Sequence, residues 1–293
     1  MQMEYRVVDV FTREPLKGNP LAVVWSDGTL TAEQMQAIAR EFHLSETTFI
    51  ERRPVELERA EGVRVRIFTP VEELPFAGHP TLGTAAVLRA EAPETVVDGV
   101  VRLSLKVGTV PVAFSSDGTE GEMTQRDPEF GSELDPHEVA RLTGLEVEDL
   151  DPQLSPQIVS TGTAFAIVVL RSVEPLARLR VDQPVATPWL RERGARWFYV
   201  MGPSQEPGVD YRARMQFYGG EDPATGSAAG CAISYLVGCG AVASDRRMHV
   251  RQGVEIDRGS DLFLCAQRLT GKVGQVRVGG STVLVASGRL FLS

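Results

Sequence analysis

The sequence predicts an α+β protein built from two similar halves, and three observations carry that reading. The chain of 293 residues alternates strand-length apolar runs with capped helical stretches. A distinctive helix start is written twice. His79-Pro80-Thr81-Leu82-Gly83-Thr84-Ala85-Ala86 matches Asp222-Pro223-Ala224-Thr225-Gly226-Ser227-Ala228-Ala229, 143 residues further on (222 minus 79). Other matches keep nearly the same spacing: Ala22-Val23-Val24 against Ala166-Ile167-Val168, and Gly108 against Gly253. A constant offset near half the chain length points to duplication and fusion of one βα-containing unit. The halves fall at residues 1–120 and 121–293, with the last strands free to return to the first half.

The elements follow in order. Residues 5–11 alternate like a strand and run into the turn signal Gly18-Asn19-Pro20, before the apolar run 21–25. Thr31-Ala32-Glu33-Gln34 is a capping box, with Leu30 and Met35 placed as a hydrophobic staple. Met35, Ile38, Ala39 and Phe42 give that helix one apolar face. It ends near His43, where a contact with the helix dipole is the simplest role for the imidazole. Glu46 then sits where the helix hands over to a β-rich run, a place usually taken by a solvated charge. Residues 63–68 read as a strand, and 103–105 with 110–114 as a hairpin turning at Gly108. The Ser-, Gly- and acid-rich stretch 115–122 is the expected linker between halves.

In the second half, Asp135-Pro136 opens a helix that closes at Gly144. Residues 158–170 are strand-like around Ser160-Thr161-Gly162, and 197–201 and 209–217 are further strands. The last feeds the Asp222 helix, read as capped by Asp222 with Pro223 at its first position. Residues 249–251, 262–266, 273–278 and 283–287 are short strands. His137 and His249 are expected to be structural, and Cys231 and Cys265 to be small buried residues.

Composition narrows function. A formal net charge of −9 argues against a nucleic-acid surface or an anionic-membrane binder. It does not oppose a small anionic substrate, which responds to local dipoles. The longest apolar runs are far short of a membrane span, and the N-terminus enters a strand with no signal-peptide pattern. Cys231, Cys239 and Cys265 form no CxxC pair, so neither a disulfide framework nor a Cys-rich metal site is indicated. A reduced, cytoplasmic protein with no metal is expected. Phosphate-loop, dinucleotide, zinc-protease and nucleophile-elbow motifs are absent.

What remains is two related helix starts, each headed by a titratable residue and each rich in small side chains. Their open backbone N–H groups and dipoles suit a carboxylate, and suit negative charge developing beside it. If the halves face each other, His79 and Asp222 meet across a cleft. Proton transfer on carbon is the reaction class that needs this, by general acid/base catalysis with no metal or redox cofactor.

The residues Asn19-Pro20, Leu44-Ser45-Glu46-Thr47, Glu73-Leu74-Pro75-Phe76-Ala77-Gly78-His79-Pro80-Thr81 and Asp222-Pro223-Ala224-Thr225-Gly226-Ser227 resemble the PhzF-like phenazine-biosynthesis family. Ser160-Thr161-Gly162, Gln252-Gly253 and Val278-Gly279-Gly280 extend the resemblance over nearly the whole chain. It implies a diaminopimelate-epimerase-like fold, each half a β-structure wrapped around a central helix, with the active site in the cleft between them. It also implies a cofactor-free isomerase, commonly a homodimer, acting on a small cyclic or unsaturated carboxylic acid. Glu46 would be the proton-carrying acid/base; His79, Asp222 and Ser227 would orient the substrate or assist transfer. Asn19, Ser45, Gly78 and Gly226 would line the pocket. Related racemases carry a Cys pair at the helix starts, where this chain has His79 and Asp222, which disfavours two-Cys racemisation. Glu255-Ile256-Asp257-Arg258-Gly259-Ser260 departs from the family's Gly-Arg pattern after Gln-Gly. The alternatives are an amino- or hydroxy-acid epimerase, or a non-catalytic ligand-binding protein of the same fold.

Overall fold

The computed structural model describes residues 1–217 and 219–292. The chain divides into two compact units, one comprising Met1–Thr124 with Gly279–Ser293, the other Gln125–Val278.

The first unit contains β1 (Gln2–Val10), β2 (Asn19–Ser26), α1 (Ala32–Phe42), β3 (Glu46–Glu51), α2 (Val55–Glu61), β4 (Val63–Phe68) and β5 (Glu73–Leu74). It continues through α3 (Gly78–Glu91), β6 (Val100–Leu105), β7 (Gly108–Phe114) and β8 (Glu120–Thr124). The second holds β9 (Glu129–Glu133), α4 (Pro136–Thr143), β10 (Gln157–Ser160), β11 (Ala164–Val169), α5 (Gln183–Glu192), β12 (Trp197–Pro203) and β13 (Tyr211–Arg214). Then come β14 (Gln216–Phe217), β15 (Gly220–Glu221), α6 (Gly226–Cys239), β16 (Met248–Gln252) and β17 (Ser260–Leu269). The final strand, β18 (Lys272–Phe291), starts in the second unit and ends in the first.

In the first unit the strand order is β1-β2-β3-β4-β6-β7-β8, and β18 neighbours both β8 and β1, so the ring of strands closes. The helix α3 runs inside it, touching β1, β2, β3, β6, β7 and β8. Its residues from Gly78 to Leu88 are buried on all sides except Ala86, which is what a helix without a polar stripe requires. Close approach depends on Gly83, where a Cβ would lie 2.7 Å from both Leu21 Cδ2 and Val10 Cγ2. On the outer face, α1 is fixed by the expected capping box between Thr31 and Gln34 and packs Met35, Ile38 and Ala39 against Val24, Phe49 and Phe68.

The second unit orders its strands β9-β10-β11-β12-β13-β16-β17-β18 and packs α6 against β10, β11 and β17. A separate core of Val139, Leu142, Leu190, Phe198 and neighbours seats α4 and α5. The duplication is visible in the topology. Parallel pairs β2/β3 and β4/β6, bridged by α1 and α3, have their counterparts in β11/β12 and β13/β16, bridged by α5 and α6.

Several local expectations change. The stretch 115–122 is no free linker: Ser115 Oγ, Thr119 N and Thr119 Oγ1 all bond to Asp117 Oδ1 in the turn that joins β7 to β8. The two short strands expected over 273–287 are one 20-residue strand, β18, passing through Gly279 and Gly280. Gly279 is needed there because a Cβ would meet the Gly121 carbonyl oxygen at 2.7 Å. Among the described residues no helix is long and apolar enough to cross a membrane.

Candidate active site

In the first unit, three elements deliver side chains to one point. β2 opens at Asn19, which is fully buried; β3 opens at Glu46, in parallel register with Leu21 of β2; and α3 opens at Gly78. His79, 6% exposed, occupies the first turn of α3. Its ring donates to the backbone of Pro20, whose only hydrogen-bonding backbone group is its carbonyl oxygen. Nε2 has no hydrogen-bond partner, so the bond to Pro20 uses Nδ1, which sets the tautomer: Nδ1 protonated, Nε2 an acceptor. Burial pushes the imidazole down to about 3, so it is neutral at physiological pH.

Nε2 lies 3.4 Å from Glu46 Oε2. With the imidazole neutral this is not an ion pair, and at 3.4 Å it is contact just beyond a formed hydrogen bond. A buried acceptor therefore faces a carboxyl oxygen that is itself largely shielded, with Glu46 16% exposed. The neutral ring can accept the O–H of a protonated Glu46 and brings no positive charge of its own to the carboxylate. At the helix start, Ala77 caps α3 without a side-chain hydrogen bond. The first-turn N–H groups of α3 therefore have no side-chain cap, and Pro80 contributes none of its own. Ser45, exposed, directly precedes Glu46, and Gly78 is buried at the helix start.

In the second unit, Asp222, Gly226 and Ser227 come together at the start of α6, but not as expected. Asp222 is not the N-cap. The helix begins four residues later, at Gly226, behind Thr225. Thr225 Oγ1 donates to Asp222 Oδ2 at 2.7 Å, and the Thr225 N–H donates to Gln252 Oε1 at 3.1 Å. Below the first turn, Gln125 Nε2 donates to the Gly226 carbonyl while its Oε1 accepts from Thr161 Oγ1. Tyr199, fully buried, has a hydroxyl without a hydrogen-bond partner; burial first, then the Asp222 carboxylate, pushes its phenol upward.

Sequence reasoning missed Thr225, Gln125 and Pro20 as organisers of the two sites. Each acts through a backbone or amide contact that no local pattern announces. Cys231 is fully buried and its thiol is pushed up to about 11 by desolvation, so it is the inert buried residue expected. Thus no thiol stands at either helix start. His249 bridges Gly208 O and Asp261 Oδ1, a structural role. Among the described residues no cluster of three His, Cys, Asp or Glu side chains could hold a metal.

The phenazine biosynthesis-like protein model (PhzC-PhzF) matches residues 8–288. The chain belongs to this family. It is 36% identical to a trans-2,3-dihydro-3-hydroxyanthranilate isomerase from Pseudomonas aeruginosa, over 98% of this chain and 99% of that protein. A protein of the same name from Pseudomonas chlororaphis is 32% identical, with the same coverage. The crystal structure of a PhzF-family phenazine biosynthesis protein from Bacillus anthracis superposes over all of both chains, with a TM-score of 0.88 and 26% identity. A hydroxyproline epimerase from Agrobacterium vitis, 12% identical, shares the fold with a TM-score of 0.63 over 99% of this chain and 92% of that one. The fold is therefore the diaminopimelate-epimerase-like one that the resemblance implied, and the chain is an isomerase of the PhzF family.

Proposed function

We propose that the enzyme moves a proton between carbons of a small, cyclic, unsaturated carboxylic acid, and that Glu46 carries the proton. The observation that supports this most directly is the contact of Glu46 Oε2 with the neutral acceptor Nε2 of His79. A base that must pick up a proton from one carbon and release it to another needs both protonation states within reach. A neutral partner allows both, whereas an arginine or lysine in its place would favour the carboxylate alone.

His79 steadies the protonated form of Glu46 by accepting its O–H. The N–H groups at the start of α3 receive negative charge as it develops on the substrate. Asp222 and Ser227 at the start of α6 are proposed as substrate contacts. Asn19, Ser45, Gly78 and Gly226 are proposed as lining. The isomerase relatives name a dihydro-hydroxyanthranilate as their substrate, and a cyclohexadiene carboxylate of that type is the first compound to test here. The chemistry assigned to these residues calls on no cofactor. A homodimer is the proposed assembly, on the family resemblance, and sedimentation of the purified enzyme tests it. A reduced, cytoplasmic setting is proposed on the three unpaired cysteines.

The experiment is proton exchange in D₂O, followed by NMR over a panel of cyclohexadiene carboxylic, amino and hydroxy acids. Wild type is expected to place deuterium on carbon of a cyclohexadiene acid. Glu46→Gln should lose about 10²–10⁴-fold in rate. Exchange that survives in Glu46→Gln would remove Glu46 from the central role. Binding of the panel with no exchange of any compound would favour a ligand-binding protein.

A further inference from the structure

The loop carrying Asp222 is held by one buried amide. Gln252, 1% exposed, closes β16 and reaches back across about thirty residues of chain. Its Nε2 donates to the Asp222 carbonyl oxygen at 2.8 Å and to Thr225 Oγ1 at 2.9 Å, while its Oε1 accepts the Thr225 N–H at 3.1 Å. Both amide protons and the amide oxygen are thus engaged, and a flipped amide would set oxygen against oxygen and N–H against N–H. The amide has one workable orientation.

That orientation decides the direction of a second hydrogen bond. Thr225 Oγ1 accepts a proton from Gln252, so its own single proton is directed elsewhere, and Asp222 Oδ2 lies 2.7 Å away. The backbone supports the same geometry. Gly253, next in sequence, sits at φ +77°, and a Cβ there would lie 2.5 Å from the Arg258 carbonyl oxygen and 2.6 Å from that of Pro223.

We propose that Gln252 and Thr225 are positioning residues, which together fix the rotamer of the Asp222 carboxylate and hold it ionised. The proposal rests on the reading of Asp222 as a substrate contact. A hydrogen bond donated to the charged form favours that form. Removing the Thr225 proton, or drawing it toward another carboxylate, makes Asp222 easier to protonate.

Other ionisable groups belong to the elements around Asp222, and Tyr199 interacts with it electrostatically. Tyr199 of β12 carries a phenol that burial keeps protonated. Glu221 is in a bidentate pair with Arg214 of β13. Glu255, in the turn after Gly253, bonds to Arg212 and lies 3.9 Å from Arg214. Both of these acids have arginine partners of their own, and Thr225 sets a neutral donor against Asp222 Oδ2.

The test reads Asp222 directly, by carbon-detected NMR titration of its carboxyl in the full-length enzyme. Thr225→Val keeps the β-branched shape and removes the donor. Gln252→Glu keeps the size of the side chain, loses both amide donors and offers the Thr225 hydroxyl a competing acceptor. Both are expected to raise the Asp222 titration midpoint by about one to two pH units, while Thr225→Ser leaves it at the wild-type value. The acid limb of kcat/KM should move upward with it, with turnover falling roughly ten- to hundredfold below the shifted midpoint in Thr225→Val. An Asp222 midpoint unchanged in folded Thr225→Val and folded Gln252→Glu would overturn the proposal. Full turnover by Asp222→Asn would instead sink the functional reading of Asp222, whatever the titrations gave.

Discussion

The two helix starts descend from one pattern and are held by opposite means. In the first unit α3 begins at Gly78, places His79 in its first turn, and has no side-chain cap. Its position is set by packing: Gly83 lies tight against Leu21 and Val10, and the helix is buried nearly all round. In the second unit α6 begins only at Gly226, four residues after the Asp222 that corresponds to His79. There the approach to the helix is set by hydrogen bonds from Gln252, Thr225 and Gln125. The difference shows in the electrostatics of the two residues. A dry, close-packed surround leaves an imidazole neutral, whereas a polar, donor-rich one suits a carboxylate. From one pattern, divergence of the supports left one helix start with a packed, neutral imidazole and the other with a hydrogen-bonded carboxylate.

The contrast is broken most forcefully at glycine. Gly253→Ala should destabilise by about 3–5 kcal/mol, because it combines a left-handed backbone with a Cβ driven into two backbone oxygens that cannot step aside. Gly83→Ala meets methyl groups of Leu21, Val10 and Val8 and gains helix propensity, so about 1–2 kcal/mol is expected. Denaturant unfolding of both variants checks the order. Equal losses would mean that the second helix start is no more rigidly constrained than the first.

The pH dependence of stability isolates the first unit. His79 is held down to about 3 in the folded enzyme, against about 6.5 for an unfolded chain. Between those values the unfolded state binds more protons than the folded state, so stability is full above pH 6.5 and falls as pH is lowered. From pH 7 to pH 5 the His79 contribution alone removes about 2 kcal/mol. Urea midpoints of wild type and His79→Gln at those two pH values should separate by that amount, the variant showing the shallower dependence. Parallel slopes would mean that His79 is protonated in the folded protein and that Glu46 faces a cation.

How much of this was legible in the sequence depended on the range of the interaction. Thr31 with Gln34, and Asp135 with Gly144, announced α1 and α4 because capping is decided within a few residues. The Pro-Gly-hydroxyl-Ala pattern announced α3 and α6 through its run of small residues, although neither helix has a side-chain cap. Asp222 was misread as a cap because the group that takes the Thr225 N–H is Gln252, which is remote in sequence. The helix α5 was missed because Pro184 and Pro188 mask its periodicity, although Pro184 lies in the first turn, where no N–H is needed. β18 was split in two by Gly279-Gly280; the reason for Gly279 is the nearby backbone of Gly121. Glu46 had no local signal at all. On its neighbours alone it was a surface charge, and only the family resemblance singled it out.

The smallest expected effect tests whether packing does dominate in the first unit. Thr48 of β3 and Thr84 of α3 share a buried hydroxyl contact of 2.8 Å, a side-chain hydrogen bond between that helix and the strand that opens with Glu46. Thr48→Val preserves volume and branching, and the Thr84 hydroxyl can turn to a carbonyl of the preceding helical turn. The loss should therefore be about 1 kcal/mol, read from the denaturant midpoint, with exchange activity nearly unchanged. A larger loss than in Gly83→Ala, accompanied by a fall in turnover, would mean that α3 and Glu46 are aligned by this hydrogen bond. Both halves would then rely on polar clamps, and the division of labour between a packed start and a hydrogen-bonded one would have to be given up.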